Sequence, residues 1–324
     1  MTRRRWIVLA SVVAIVLAIT LTPFAFDYAV GAWTRHEILR IAKEPPNYEV
    51  LPTDNALTAL TKRASQAKHD RDYQRAVDLY TQGIEDGASA AKTRRNLIRQ
   101  RAFAYEDLHQ YDRAEADYNA ALAIEPLDPD FYAKRGFYFI RRGRYDEALA
   151  DFRKGGELVP GDGGFPYGEG QTYEKLGQHD KAVKRYTEAI RRNATVTTYY
   201  RERGSAYNYL GKFQEALADY DMALELGYPF PFPRETGYSN LGRGYALLHL
   251  KQYRRAIDDF DAVLKVVPRS SNALGWRGEA YQWLGNGPQA IADYKAAVAI
   301  DPKNPNALSG LEQLEPSALP PETP

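Results

Sequence analysis

The side chains with something to do in this 324-residue chain are aromatic rings, arginines and amides, and what they do is recognise. Tyrosine is unusually abundant, at 24 residues. Tyr167, Arg201, Asn208, Tyr209, Tyr238, Tyr245, His249, Trp276 and Trp283 form a set of the types that dominate binding energy, because they bury large area at low entropy cost. Bond-making chemistry finds no comparable foothold. The absence of cysteine excludes disulfides, zinc–thiolate sites and thiol nucleophiles. His36, His69, His109, His179 and His249 are scattered, with no H-x-x-x-H or carboxylate-spaced metal set. Pro160 to Gly164 and Gly168 to Gly170 are glycine-rich but follow no strand, which speaks against a phosphate loop. Asn193-Ala-Thr195 is a glycosylation sequon with meaning only in a eukaryotic secretory context. Lys plus Arg number 43 against 42 Asp plus Glu, without the basic excess of a nucleic-acid binder. The expectation is a protein that is not an enzyme and uses no metal, no cofactor and no nucleic acid.

A repeat positions these residues. Align the chain on Ala76, Ala114, Ala148, Ala182, Ala216, Ala256 and Ala290. Four residues later stand Tyr80, Tyr118, Phe152, Tyr186, Tyr220, Phe260 and Tyr294, all aromatic. Twelve residues earlier stand Ala64, Ala102, Gly136, Gly170, Gly204, Gly244 and Gly278, all small. Nine before the alanine, Tyr105, Phe139, Tyr173, Tyr207 and Tyr281 are aromatic, with Ala67 and Leu247 as exceptions. Pro126, Pro160, Pro268 and Pro302 close four units. The spacing is 34 residues from 114 to 216 and from 256 to 290, 38 between the first two units, and 40 across 216 to 256.

The chain therefore resembles the tetratricopeptide-repeat superfamily, whose period and small–aromatic–alanine–aromatic–proline pattern it follows over about residues 57–304. Each unit reads as two amphipathic helices joined by a short turn, such as Gly143-Arg144-Tyr145, Gly177-Gln178-His179 or Gly211-Lys212-Phe213. No single hairpin can bury its apolar face, so the copies must stack. The expected fold is all-α: a solenoid of about seven hairpins with a C-terminal capping helix, preceded by one transmembrane helix. Repeats are expected near 57–90, 95–128, 129–162, 163–196, 197–230, 237–270 and 271–304, with the cap at 305–315.

The copies also align a charge pair. Before the small residue stand Arg63, Arg101, Arg135, Glu169, Arg203, Arg243 and Arg277; sixteen residues later come Leu79, Asp117, Asp151, Arg185, Asp219, Asp259 and Asp293. The simultaneous reversal in the fourth copy predicts that the two side chains touch across each hairpin, as a structural ion pair.

The resemblance implies that the first helix of each repeat lines a concave groove that takes a peptide or partner protein. Early copies place Lys62, Lys68, His69, Arg99, Gln100, Glu106, Lys134 and Arg141 there, and later ones the aromatic set named above, making the later half the expected binding site. Chaperone-binding members use an Asn one position beyond the small residue. That position holds Ser65, Phe103, Phe137, Gln171, Ser205, Tyr245 and Glu279, so such a clamp is not expected. Gly227 to Pro233, with alternating proline and aromatic residues, reads as an extended interruption that splints a change of direction or forms a lip over the groove.

The first 26 residues are a separate object. Arg3, Arg4 and Arg5 precede an uncharged run from Trp6 to Phe26, long enough as a helix to cross a bilayer of about 30 Å. A cleaved signal peptide would have a shorter apolar run and a small-residue cleavage site, so an uncleaved anchor is favoured over a secreted product. The arginines predict a cytoplasmic N-terminus and, in a bacterium, a periplasmic solenoid on a single-pass inner-membrane protein. With that segment the chain resembles membrane-anchored bacterial members of the superfamily. Residues 27–56 read as a juxtamembrane linker or helix, 57–315 as the solenoid, and 316–324 as a disordered Pro-rich tail. The functional expectation is a membrane-anchored interaction scaffold in assembly of a cell-envelope complex. The alternative is an organelle-surface or cytosol-facing receptor or cochaperone-like adaptor.

Overall fold

The computed structural model describes residues 55–86, 91–227 and 233–318. The expected anchor at 1–26 and the linker up to residue 54 lie outside these residues, as do 228–232 of the proline–aromatic interruption and 319–324 of the tail. None of the described helices is long and apolar enough to cross a membrane.

The described residues form fifteen α-helices: α1 (Ala56–His69), α2 (Tyr73–Asp86), α3 (Ala91–Asp107), α4 (Tyr111–Ile124), α5 (Pro129–Arg141), α6 (Tyr145–Leu158), α7 (Gly164–Lys175), α8 (His179–Arg192), α9 (Thr197–Tyr209), α10 (Phe213–Leu226), α11 (Pro233–His249), α12 (Tyr253–Val266), α13 (Ser271–Trp283), α14 (Gly287–Ile300) and α15 (Pro305–Leu314). Odd and even helices up to α14 pair as hairpins, and α15 covers the last one. A 3-10 turn, Pro316–Ala318, follows α15. The helices α3 and α11 open at Ala91 and Pro233, ahead of the repeat onsets at 95 and 237. Both are 17 residues long, so part of the longer spacing before them is absorbed as an extra helical turn.

Local chemistry sets the helix ends. The side chains of Asn55, Asp128, Ser270 and Asn304 accept from the backbone N–H groups of Thr58, Asp130, Ala273 and Ala307, capping α1, α5, α13 and α15. Within every hairpin the turn needs one residue of positive φ. Glycine supplies it at Gly143, Gly177, Gly211 and Gly285, whereas Arg71, His109 and Lys251 adopt it at φ 64, 59 and 60°.

The helix-B ring is the core of each unit. Tyr118, Phe152, Tyr186 and Phe260 are fully buried. The small residue opposite is a steric requirement: a Cβ at Gly170 would lie 2.5 Å from the Tyr186 ring, and one at Gly244 2.7 Å from Phe260.

The charge pair closes six of the seven hairpins, five as Arg–Asp and one with the signs reversed. Arg101, Arg135, Arg203, Arg243 and Arg277 grip Asp117, Asp151, Asp219, Asp259 and Asp293 through paired Nε and Nη2 bonds of 2.6–2.9 Å. The remaining Nη1 of each arginine donates backward to the preceding repeat, to Thr81, Asn119, Thr187, Asp221 and Asp261 respectively. In the reversed copy Glu169 is faced at 3.8 Å by Arg185 of its own hairpin and at 3.8 Å by Arg153 of the preceding one. In that copy one acid is therefore faced by two arginines, with Arg153 at the position of the third partner. Arg63, in the copy without the acid, is exposed.

Candidate interaction groove

The first helices of the fifth, sixth and seventh hairpins, α9, α11 and α13, stand side by side and enclose a groove of about 630 Å3. Arg201, Glu202, Ser205, Asn208 and Tyr209 come from α9, Tyr238, Leu241, Gly242 and Tyr245 from α11, Trp276 from α13, and Tyr220 from α10 forms its floor.

Gly242 lines the groove at a position defined by the repeat. Each helix-B ring lies between the small residue of its own helix A and the residue two positions before the small one on the next helix A. That second position holds Gly168 in the fourth copy, Glu202 in the fifth, Gly242 in the sixth and Trp276 in the seventh, and at both glycines the preceding ring fills the space a side chain would take. Trp276 covers Phe260, with ring centroids 6.1 Å apart. Gly242 has nothing to place over Tyr220, and a Cβ there would meet the Tyr220 hydroxyl at 2.2 Å. The Tyr220 ring and the Gly242 backbone are left as floor and wall.

Six of the nine residues singled out in the sequence line this groove: Arg201, Asn208, Tyr209, Tyr238, Tyr245 and Trp276. The Arg201 guanidinium bonds Glu202 at 2.5 Å and lies 5.9 Å from the Tyr238 ring centre. The amide of Asn208 donates to the Gly242 carbonyl at 2.9 Å, tying α9 to α11. Tyr245 and Trp276 contact at 4.9 Å, a tilted pair on the far wall. Tyr209 and Tyr238 are 72% and 52% exposed, although His179 stacks on the Tyr209 ring at 4.5 Å.

The other three have different surroundings. Tyr167 packs between Tyr199 and Tyr186, at 5.1 and 5.9 Å, and belongs to the inter-repeat core. His249 stacks on Phe213 at 4.4 Å and meets Tyr245 edge-on, so it supports the wall from the helix end; desolvation there lowers its pKa. Trp283, stacked on Tyr253, borders a separate cleft of about 290 Å3 between α13 and α15.

Glu202, Ser205, Tyr220, Leu241 and Gly242 are groove residues that the exposed-aromatic criterion does not select. Behind the groove, Glu174 at the end of α7 accepts from the Tyr186 hydroxyl at 3.0 Å. Burial, and then the neighbouring Glu202, push its carboxyl up to about 7. The basic side chains of the early copies are engaged among themselves: Arg141 with Glu106, Arg99 with Asp130, and Lys68 with Asp107.

A family model described as tetratricopeptide repeat matches residues 100–162, 167–229 and 241–305. Among curated proteins, Hsp70-Hsp90 organizing protein 3 of Arabidopsis thaliana is 27% identical over 39% of this chain and 23% of its own. The chain spans about a third or less of the length of the curated relatives it matches. Among solved structures, a tetratricopeptide repeat protein from Parabacteroides merdae superposes with a TM-score of 0.56 at 15% identity, covering 79% of this chain and 97% of that one. YrrB, described as a protein of this type with an unusual peptide-binding site, superposes with a TM-score of 0.51 at 20% identity, over 60% and 97% of the two chains. At these identities the structures speak to the fold alone.

Proposed function

Because this chain belongs to the tetratricopeptide-repeat family, we propose that it is a non-catalytic scaffold that holds a peptide or partner protein in the groove of α9, α11 and α13. A solenoid of this kind presents side chains on a rigid frame, and its function resides in the surface those side chains make. The observation that carries the reading is the groove of about 630 Å3 lined by the rings of Tyr209, Tyr238, Tyr245 and Trp276. Rigid aromatic anchors around a concave site are the arrangement in which binding energy concentrates. The test is Tyr209→Ala with Tyr238→Ala, the two most exposed rings of the groove, in the full chain. Loss of partner binding with an unchanged unfolding midpoint supports the groove; unchanged binding refutes it.

The place of action forms part of the same proposal. The uncharged run from Trp6 to Phe26 behind Arg3–Arg5 supports a single-pass anchor with a periplasmic solenoid, serving assembly of an envelope complex. A second reading, a cochaperone-like adaptor, is favoured by the similarity to Hsp70-Hsp90 organizing protein 3. The groove position occupied by Ser205, Tyr245 and Glu279 gives that reading no asparagine for a carboxylate clamp. Binding of a chaperone C-terminal peptide, abolished by Arg201→Ala, would establish it.

A further inference from the structure

The second helices of hairpins three to six carry an ordered charge pattern on their outer face. The residue just before the repeat alanine is Glu147 on α6, Lys181 on α8, Glu215 on α10 and Arg255 on α12. Nine residues after the alanine stand Glu157, Arg191, Glu225 and Lys265. All eight side chains are exposed, and at both positions the sign alternates from one helix to the next. The two positions lie on one face of the helix, and the residues between them on that face complete a stripe. These add Lys154 to α6, the opposed Lys184 and Glu188 to α8, no charge to α10, and Asp258 to α12. The stripes therefore carry net charges of −1, +2, −2 and +1 in chain order.

Contacts within one chain leave the pattern unmet. Glu147, Glu157 and Arg191 pair locally with Arg144, Lys154 and Glu188, in exposed contacts that contribute little. Lys181 lies 5.4 Å from the Tyr173 ring and Arg255 donates to Gln252, both of them neutral partners. Glu215, Glu225 and Lys265 have no ion pair among the described residues. Nor does any ion pair among these residues join one stripe to the next.

The charges are antisymmetric about the boundary between α8 and α10, which is what a surface needs to be complementary to itself under a two-fold rotation. An axis running along the helices at that boundary lays α8 of one copy on α10 of the other, and α6 on α12. Equivalent repeat positions stand at equal height on parallel helices, so Lys181 meets Glu215 and Arg191 meets Glu225 across the interface. Each contact occurs twice. An axis across the helices would instead lay α8 on α8, with Lys181 against Arg191, and like charges would repel. At the middle of the α10 stripe, Ala218 and the 38% exposed Met222 offer a small, apolar surface for close approach.

We infer that the outer face of α6, α8, α10 and α12 is a self-association surface, on which a second copy of this chain docks with α8 against α10. The groove lies on the first helices, so the two surfaces are independent.

The test is sedimentation equilibrium of the full-length chain in detergent. The native chain is expected to dimerise, with a dissociation constant that rises about tenfold or more as salt screens the charges. Lys181→Glu with Arg191→Glu makes the α8–α10 contacts repulsive, and so does Glu215→Lys with Glu225→Lys. Each double variant should self-associate at least about tenfold more weakly than the native chain. Mixing the two should restore a dimer, because reversed α8 then meets reversed α10 and the native helices meet as before. That recovery also shows that both variants are folded. A monomeric native chain, a dimer indifferent to both reversals, or two variants with native helical content that stay apart when mixed would each overturn the interface. None of these outcomes bears on the groove, which the Tyr209 and Tyr238 variant tests separately.

Discussion

Arg203 holds Asp219 with two parallel bonds and reaches Thr187 of the preceding hairpin with a third, so one side chain joins three helices. Burial raises the Asp219 carboxyl pKa despite that grip, which shows how costly the charge is to enclose. Arg203→Ala should therefore lower stability by about 3–5 kcal/mol, because a buried carboxylate loses its partner. The double change Arg203→Met with Asp219→Leu should cost much less; urea unfolding of both variants decides this. Glu174 makes a second prediction at this scale. Its folded pKa, about 7, lies above the unfolded value, so the folded state keeps a proton that the unfolded chain has released. Stability should fall as pH rises from about 4.5 to about 7 and then level off, and Glu174→Gln should flatten that slope. The charge pair was legible in the sequence because both members share one hairpin and reverse together at Glu169 and Arg185. Its third member, Thr81, Asn119, Arg153, Thr187, Asp221 or Asp261, was not, because it depends on how consecutive hairpins register. A second correlation went unread for the same reason. The polar Glu106, Glu174 and Gln282 accept from Tyr118, Tyr186 and Tyr294, while Ile140 and Leu248 occur with Phe152 and Phe260.

At the scale of elements, the hairpin turns and one glycine carry the argument. Lys251 sits at φ 60° in the α11–α12 turn, where Gly211 and Gly285 serve the neighbouring hairpins. Lys251→Gly removes the Cβ clash of the left-handed conformation and should stabilise the protein by about 0.5–1 kcal/mol, while Gly211→Ala should cost about 1 kcal/mol. Thermal or urea midpoints of opposite sign are expected. Gly242 lines the groove and is one of the glycines against which a helix-B ring packs. Gly242→Ala forces the Tyr220 ring to move and should cost about 1–3 kcal/mol while reducing the groove. The helical periodicity and small–aromatic spacing made the hairpins readable, whereas the ring contact at Gly242 was hidden because its meaning lies in the side chain it lacks. Tyr167 shows the matching failure: on a helix face, a shift of one position separates a groove ring from a core ring.

At the scale of the whole molecule, the solenoid has seven similar hairpins but does not use them alike. The early copies pair their charges internally, as in Arg141 with Glu106, and the later ones leave aromatic faces open. The hydrophobic run at 6–26 makes its own prediction: a phosphatase reporter fused after Glu315 should be active and membrane-bound. Activity only in a soluble fraction would show cleavage, and a cytoplasmic result would reverse the orientation. The measurement that tests the central claim most directly is site-specific photocrosslinking in cells, with a photoreactive phenylalanine analogue replacing Tyr209 or Tyr238 in the groove, or the exposed Arg63 on α1. The account predicts one shared adduct from both groove positions, none from Arg63, and loss of that adduct when Trp276→Ala is added. Adducts from Arg63 alone, or groove adducts that persist without Trp276, would contradict it.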